Sequence, residues 1–152
     1  MANTYSQIYM QIIFAVKDRY SLVTQEQKKE VEKYIGGIIN SLKSKPLAIY
    51  CNPDHIHILV GLHPSVSISE LVKRIKTSSN VFIKERFNNK NFSWQDGYGA
   101  FSYSRSQIDS VIKYINNQQD HHKKRTFRVE YIDILQKAKI DYDDKYLFYW
   151  IE

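Results

Sequence analysis

The sequence predicts an α+β domain of ferredoxin-like (RRM-like) plan, a β-α-β-β-α-β antiparallel sheet with helices on one face plus C-terminal helices. Three observations predict it. Four short stretches have the alternation and composition of strands, two longer amphipathic stretches have helical spacing, and the chain beyond the fourth strand is again helical in period. At 152 residues, with 43% apolar residues and only 5 Gly and 3 Pro, there is enough for one core. Residues 1–152 are therefore read as a single domain, without repeats or a linker.

The first strand lies within Gln7 to Lys17, where Ile8, Met10, Ile12, Phe14 and Val16 share one face. Gln25 to Leu42 reads as a helix with Thr24 as its N-cap and Val31, Ile35, Ile38 and Leu42 at helical spacing. Gly36 and Gly37 weaken it, or admit the close approach of another backbone. Leu47 to Asn52 is the second strand, Asn52-Pro53-Asp54 a turn, and His55 to Leu62 the third strand. Ser67 or Ser69 caps the next helix, which carries Leu71, Val72, Ile75 and Phe82. Gly97 to Arg105 is the fourth strand, Ser106 to about Lys124 a continuous helix, and Arg128 to Lys139 a last one. An acidic, aromatic tail, Asp141 to Glu152, is too apolar to hang free; its own domain surface can cover it, and a second subunit is the cover expected.

A single cysteine, Cys51, excludes an intrachain disulfide framework and multi-cysteine metal sites, and it reads as a buried thiol. No apolar run approaches the ~18 residues of a spanning helix, and the N-terminus lacks a signal-peptide pattern. A soluble, cytoplasmic protein with no membrane association is expected. The net charge is +6, and between Lys73 and Arg128 twelve Lys and Arg face four Asp and Glu. A basic middle rich in Tyr and Phe suits phosphates and bases.

Two clusters carry chemistry. In His55-Ile56-His57-Ile58, the histidines share one face of a strand while the isoleucines share the other, so two imidazoles converge where one metal ion can bind both. On the helix after the fourth strand, Tyr114, Gln118 and His121 form one stripe beside the apolar stripe of Ile108, Val111, Ile112 and Ile115. Two imidazoles and an amide oxygen can hold a divalent ion with positions open for a phosphate oxygen, polarising phosphorus for attack by the Tyr114 phenol. Among twelve tyrosines, Tyr114 alone has a Gln four residues on in a helix facing the histidine strand. No Walker A loop, GxSxG or HExxH motif competes.

These residues resemble a known family. Asn52-Pro53-Asp54-His55-Ile56-His57-Ile58-Leu59-Val60 resembles the HUH signature (His, hydrophobic, His) of the single-tyrosine transposases of the insertion sequence 200/605 group. Tyr114-Ile115-Asn116-Asn117-Gln118 with His121-His122 resembles their nucleophile helix, and Phe92 to Ser102 and Gln11 to Lys17 resemble flanking family segments. The resemblance implies a transposase that cuts and rejoins single-stranded DNA through a 5′-phosphotyrosine at Tyr114. It also implies Mg²⁺ or Mn²⁺ held by His55, His57 and Gln118, and a homodimer in which one subunit's tyrosine helix can complete the other's site.

Lys73, Arg74, Lys76, Lys84, Arg86 and Arg105 are expected to contact DNA backbone or a hairpin at the element end. Trp94, Tyr98, Phe101 and Tyr103 are candidates for stacking on bases, with core or dimer interface as the other reading of Trp94 and Phe101. His121 and His122 read as phosphate contacts or neighbours of the metal, and His63 as a loop residue. Other readings are a non-catalytic RRM-like nucleic-acid module, a domesticated relative that processes repeat hairpins, and a metal-dependent phosphodiesterase. The RRM-like module needs aromatics on both central strands, where this chain offers Tyr9 on one and two histidines on the other.

Overall fold

A computed structural model describes residues 3–17 and 24–150. The strands β1 (Tyr9–Ala15), β2 (Lys45–Cys51), β3 (His55–Gly61) and β4 (Gly99–Tyr103) form one antiparallel sheet in the order β2-β3-β1-β4. Helices α1 (Gln25–Ser41) and α2 (Ile68–Arg86) provide the two crossings, which completes the expected ferredoxin-like order. Among the described residues no helix is long and apolar enough to cross a membrane.

Cross-strand register sorts the side chains. Met10, Ile12 and Phe14 of β1 lie opposite Val60, Ile58 and Ile56 of β3, so all six share one face. With Ile35 and Ile39 of α1 and Leu71 and Ile75 of α2 they form the main core. Thr24 caps α1 through a reciprocal box with Gln27, and Ser67, rather than Ser69, caps α2 by accepting from the Glu70 N–H. A Cβ built on Gly36 would lie 3.8 Å from Ile49, an ordinary contact, so no close backbone approach explains the glycine pair.

The other sheet face is covered too, where the sequence predicts sheet helices on one face alone. Helix α3 (Ile108–Asn116) lays Ile108, Val111 and Ile115 on Ala48 and Leu59, and α5 (Phe127–Lys137) sets Phe127 on His55 of β3 and Tyr131 against Phe101 of β4. The reason is in α3 itself, because an apolar stripe of that strength must bury somewhere and the second sheet face is the surface left to it. The helix expected from Ser106 to Lys124 is also interrupted. A 3₁₀ turn (Arg105–Gln107) precedes α3, and Asn117, at φ −100° and ψ 21°, separates it from the short α4 (Gln118–His122).

Trp94 belongs to the core, edge-on to Phe14 at 4.8 Å with its indole N–H donating to Ser79 Oγ at 2.9 Å, and Phe101 is buried as well. Neither is free to stack on a base, whereas Tyr98 is exposed. The tail folds back on its own domain, which corrects the expectation of a second subunit as its cover. Phe148 packs on Tyr131 and Trp150 on Phe127, while the Gln95 amide accepts from Tyr149 N–H (2.7 Å) and donates to Tyr149 C=O (2.8 Å). Residues 1, 2, 18–23, 151 and 152, which include the last two of the tail, lie outside the described residues.

Gln95 also donates to Val16 C=O at 2.9 Å, so one buried amide joins β1 to the tail. Gln95→Ala leaves those groups unpaired and is expected to cost about 1–3 kcal/mol in urea unfolding, with earlier proteolysis of the tail. An unchanged unfolding midpoint would show that the tail is held by its aromatic contacts alone.

Candidate active site

The site begins with β3. His55 and His57 point to the α3/α5 side, opposite Ala15 and Ile13 of β1, and both are fully buried. Asp54, which can only accept when ionised, takes the His55 Nδ1–H at 2.7 Å. Gln11 on β1 donates its amide to the Tyr103 hydroxyl at 2.8 Å, which turns its carbonyl toward His57 Nδ1, also at 2.8 Å. Each imidazole, when neutral, therefore carries its proton on Nδ1 and turns its Nε2 to the space under α5.

That space holds Glu130. Its Oε1 lies 3.2 Å from His57 Nε2, 3.4 Å from His55 Nε2 and 3.3 Å from His122 Nε2. Its Oε2 accepts from the Tyr114 hydroxyl and from Gln118 Nε2, the latter at 3.2 Å. Gln118 Oε1 faces His122 Nε2 at 3.0 Å and accepts from Asn52 Nδ2 at 3.4 Å. Phe127 lies flat on His55, ring centres 3.8 Å apart, and closes the floor of the cluster. Tyr114 is half-buried at the edge, with its ring against His121.

The electrostatics follow from burial. Desolvation pushes the His57 imidazole down to about 4 against the pull of Glu130, so it is neutral at pH 7. Burial opposes the charge on His55 too, but hydrogen bonds to Asp54 and Glu130 outweigh it and raise that imidazole. Burial also works against the Glu130 carboxylate, yet His122, His55 and His57 hold it far below the usual carboxylate range. The Tyr114 phenol is raised well above its ordinary value, first by burial and then by the adjacent Glu130 charge. It is a protonated phenol at neutral pH.

Imidazole lone pairs directed at an anionic oxygen are a repulsive arrangement unless protons or a cation lie between them. One ligand atom from each of His55, His57, His122 and Glu130 falls within 4.8 Å of the others, so these residues fit a divalent cation. Gln118 Oε1 borders the same set.

The fold thus brings together the four expected site residues, Tyr114, His55, His57 and Gln118, within one chain. The expected Tyr114/Gln118 stripe survives the break at Asn117, because both side chains reach Glu130. Sequence reasoning missed Glu130 and left His122 short of a ligand role. The signal for Glu130 was its place in the apolar row of α5, between Phe127 and Tyr131, where an acid has no solvent to face. His122 sits one helical turn beyond Gln118, a spacing that puts both on one side.

The expected DNA contacts fall elsewhere. Lys73, Arg74, Lys84 and Arg86 lie on α2, in the layer across the sheet from the histidines, and Arg86 pairs with Glu30 of α1 at 2.9 Å. Lys76 turns inward and donates to the Gln95 and Gly97 carbonyls at 2.7 and 2.6 Å. Arg105 is exposed in the turn before α3. Cys51 is buried and its thiol is pushed up to about 12, chiefly by desolvation, which makes it inert. His63 is a loop residue bonded to Ser65.

Comparison with known proteins gives the same direction. Residues 4–118 match the family described as "Transposase IS200 like". The transposase for insertion sequence element IS200 of Salmonella typhimurium is 25% identical over 123 residues, covering 81% of this chain and 80% of that protein. The ISDra2 transposase TnpA of Deinococcus radiodurans is 25% identical over 121 residues, 75% of this chain and 86% of that one. Two solved structures share the fold. A Deinococcus radiodurans protein assigned to the transposases superposes with a TM-score of 0.62 at 21% identity, covering 76% of this chain and 94% of that one. A REP-associated tyrosine transposase bound to a REP hairpin superposes with a TM-score of 0.59 at 16% identity, covering 79% of this chain and 72% of that one.

Gln11 sets the tautomer of His57, so Gln11→Leu is expected to weaken Mn²⁺ binding about 10–100-fold in calorimetry while the protein stays folded. Wild-type affinity in that variant would mean that His57 needs no partner to face the ion.

Proposed function

The chain belongs to the IS200-like transposase family, and from that membership and the buried cluster we propose that it cuts and rejoins single-stranded DNA with Tyr114 as nucleophile. One observation supports this reading most: Tyr114, and no other tyrosine among the described residues, bonds the carboxylate around which three imidazoles gather. The phenol oxygen attacks a phosphodiester, forming a bond from the tyrosine to a 5′-phosphate and breaking the bond to the 3′-oxygen. The phenol proton ends, in net terms, on the released 3′-hydroxyl. The phosphotyrosine keeps the free energy of the broken bond, so attack by a 3′-hydroxyl reverses the step without a nucleotide cofactor.

Each side chain has a part in this. Asp54 and Gln11 hold His55 and His57 in the tautomer that exposes Nε2, and Phe127 fixes the plane of His55. Glu130 holds the Tyr114 hydroxyl at the edge of the cluster, and Gln118 spans Glu130 and His122. His55, His57 and Gln118, with His122 and Glu130 completing the set, would hold a divalent cation, whose positive charge would lower the phenol pKa and polarise the phosphorus. Three imidazoles and one carboxylate suit Mn²⁺ better than Mg²⁺, which prefers oxygen ligands and water.

The DNA we propose is a single strand with a hairpin, since a structural neighbour is a transposase bound to a hairpin. The exposed cations of α2 and Arg105 are proposed as backbone contacts away from the chemistry. An RRM-like binding module finds no support, because α3 and α5 cover the face on which such modules stack bases. The assembly we propose is a homodimer able to hold two DNA ends, in which each chain completes its own site. Exchange of the tyrosine helix would have to break the contacts of Tyr114 and Gln118 with Glu130.

Tyr114→Phe loses only a hydroxyl, so it is expected to keep DNA affinity within about twofold while forming no covalent protein–DNA band on a denaturing gel. His57→Ala is expected to remove cleavage as well. An adduct that persists in Tyr114→Phe sinks the assignment. Co-expression of these two variants tests site sharing. Chains that complete their own sites leave the mixture inactive, and restored cleavage would place the tyrosine in the partner's site.

A further inference from the structure

Two cavities lie side by side between α3 and α5, above β4. One, of about 350 Å³, has Tyr114 and Arg125 in its wall, and the other, of about 590 Å³, runs on past Ala100 to Ile140. They share Tyr103, Gln107, Ile134 and Lys137, so together they form one trough that ends at the Tyr114 ring. Since His55, His57, Gln118 and Glu130 are fully buried, this trough is an approach to the Tyr114 side of the cluster.

We propose that the trough is the seat of the unpaired nucleotides next to the scissile phosphate, with Arg125 and Lys137 holding the backbone and Tyr103 supporting a base. The proposal rests on the reading of Tyr114 as nucleophile. Charge argues for it. Arg125 and Lys137 both reach the same oxygen, Asp133 Oδ2, at 3.4 and 3.0 Å. One carboxylate thus keeps two cations near each other at the trough wall and leaves an excess of positive charge there. Shape argues for it too. Each cavity is in the size range of a small-ligand site, so a strand enters only once its bases are unpaired.

Tyr103 adds a link to the chemistry. Its ring stands at the junction of the two cavities, and its hydroxyl is bonded to Gln11, which orients His57. A base resting on Tyr103 therefore sits two hydrogen bonds from the cluster.

The test measures binding of a fluorescein-labelled thymidine hexanucleotide by anisotropy, at several salt concentrations, in the presence of Mn²⁺. Lys137 is 79% exposed, so Lys137→Gln leaves the fold intact. It is expected to weaken binding severalfold and to make the log–log salt slope shallower by about 0.7. Tyr103→Leu is expected to cost about tenfold through lost stacking, and Tyr103→Phe, which keeps the ring, much less. Should Tyr103→Leu fail to fold, photocrosslinking of a 5-iodouracil hexanucleotide to the wild type replaces it, with the product expected on Tyr103. Unchanged affinity and slope in Lys137→Gln, or a crosslink on α2, overturns the trough. The covalent adduct is scored separately. Adduct formation with variant-independent binding overturns the trough and leaves the chemistry, whereas variant-dependent binding without an adduct supports the trough and overturns the chemistry.

Discussion

The Glu130 carboxylate is the constraint on which the second layer of this protein depends. An ionised acid taken out of water costs several kcal/mol, and the cost is offset only where the group is paired and hydrogen-bonded. Here one oxygen faces three imidazoles and the other accepts from a phenol and an amide. The partners come from β3, α3 and α4, and Glu130 itself from α5, so a change in any of these elements would leave a buried charge uncompensated. Cluster and helical layer therefore specify each other.

The rest of that layer secures α5. Phe127 and Glu130 lie on the same side of the helix, one turn apart, so seating the phenyl ring on His55 also aims the carboxylate. Tyr131 presses against β4, where a Cβ on Gly99 would come within 2.5 Å of its hydroxyl oxygen, so β4 needs glycine at that position. The tail then covers Phe127 and Tyr131 with Phe148 and Trp150. A segment that reads in sequence as an interface serves instead as the outer wall of the site.

Much of the fold was legible because it is written in short-range pattern. Alternation in β1 and β3, the Thr24 and Ser67 caps and the apolar stripes of α1 and α2 predict the sheet and its first helical layer. His55, His57, Tyr114 and Gln118 were legible because each stands at a fixed spacing within one element. Glu130 was not, because its meaning lies in a contact 73 residues from His57 in the chain. The break at Asn117 escaped notice for a different reason, since nothing in Asn-Asn-Gln-Gln forbids a helix and tertiary packing decides the matter. The cover of the tail is not legible in the sequence, because aromatic content says that a segment must be buried and does not say by what.

On the proposed chemistry, the contact between Tyr114 and Glu130 has consequences in both directions of the reaction. A phenol raised by burial and an adjacent carboxylate is a poor nucleophile on its own. The same environment disfavours the phenolate as a leaving group, so a phosphotyrosine would collapse slowly on the side chains alone. A cation held beside Glu130 would offset the field that raises the phenol and so ease both directions. Cutting and rejoining are thus governed by one electrostatic condition, as microscopic reversibility requires of a step that must run each way at a single tyrosine.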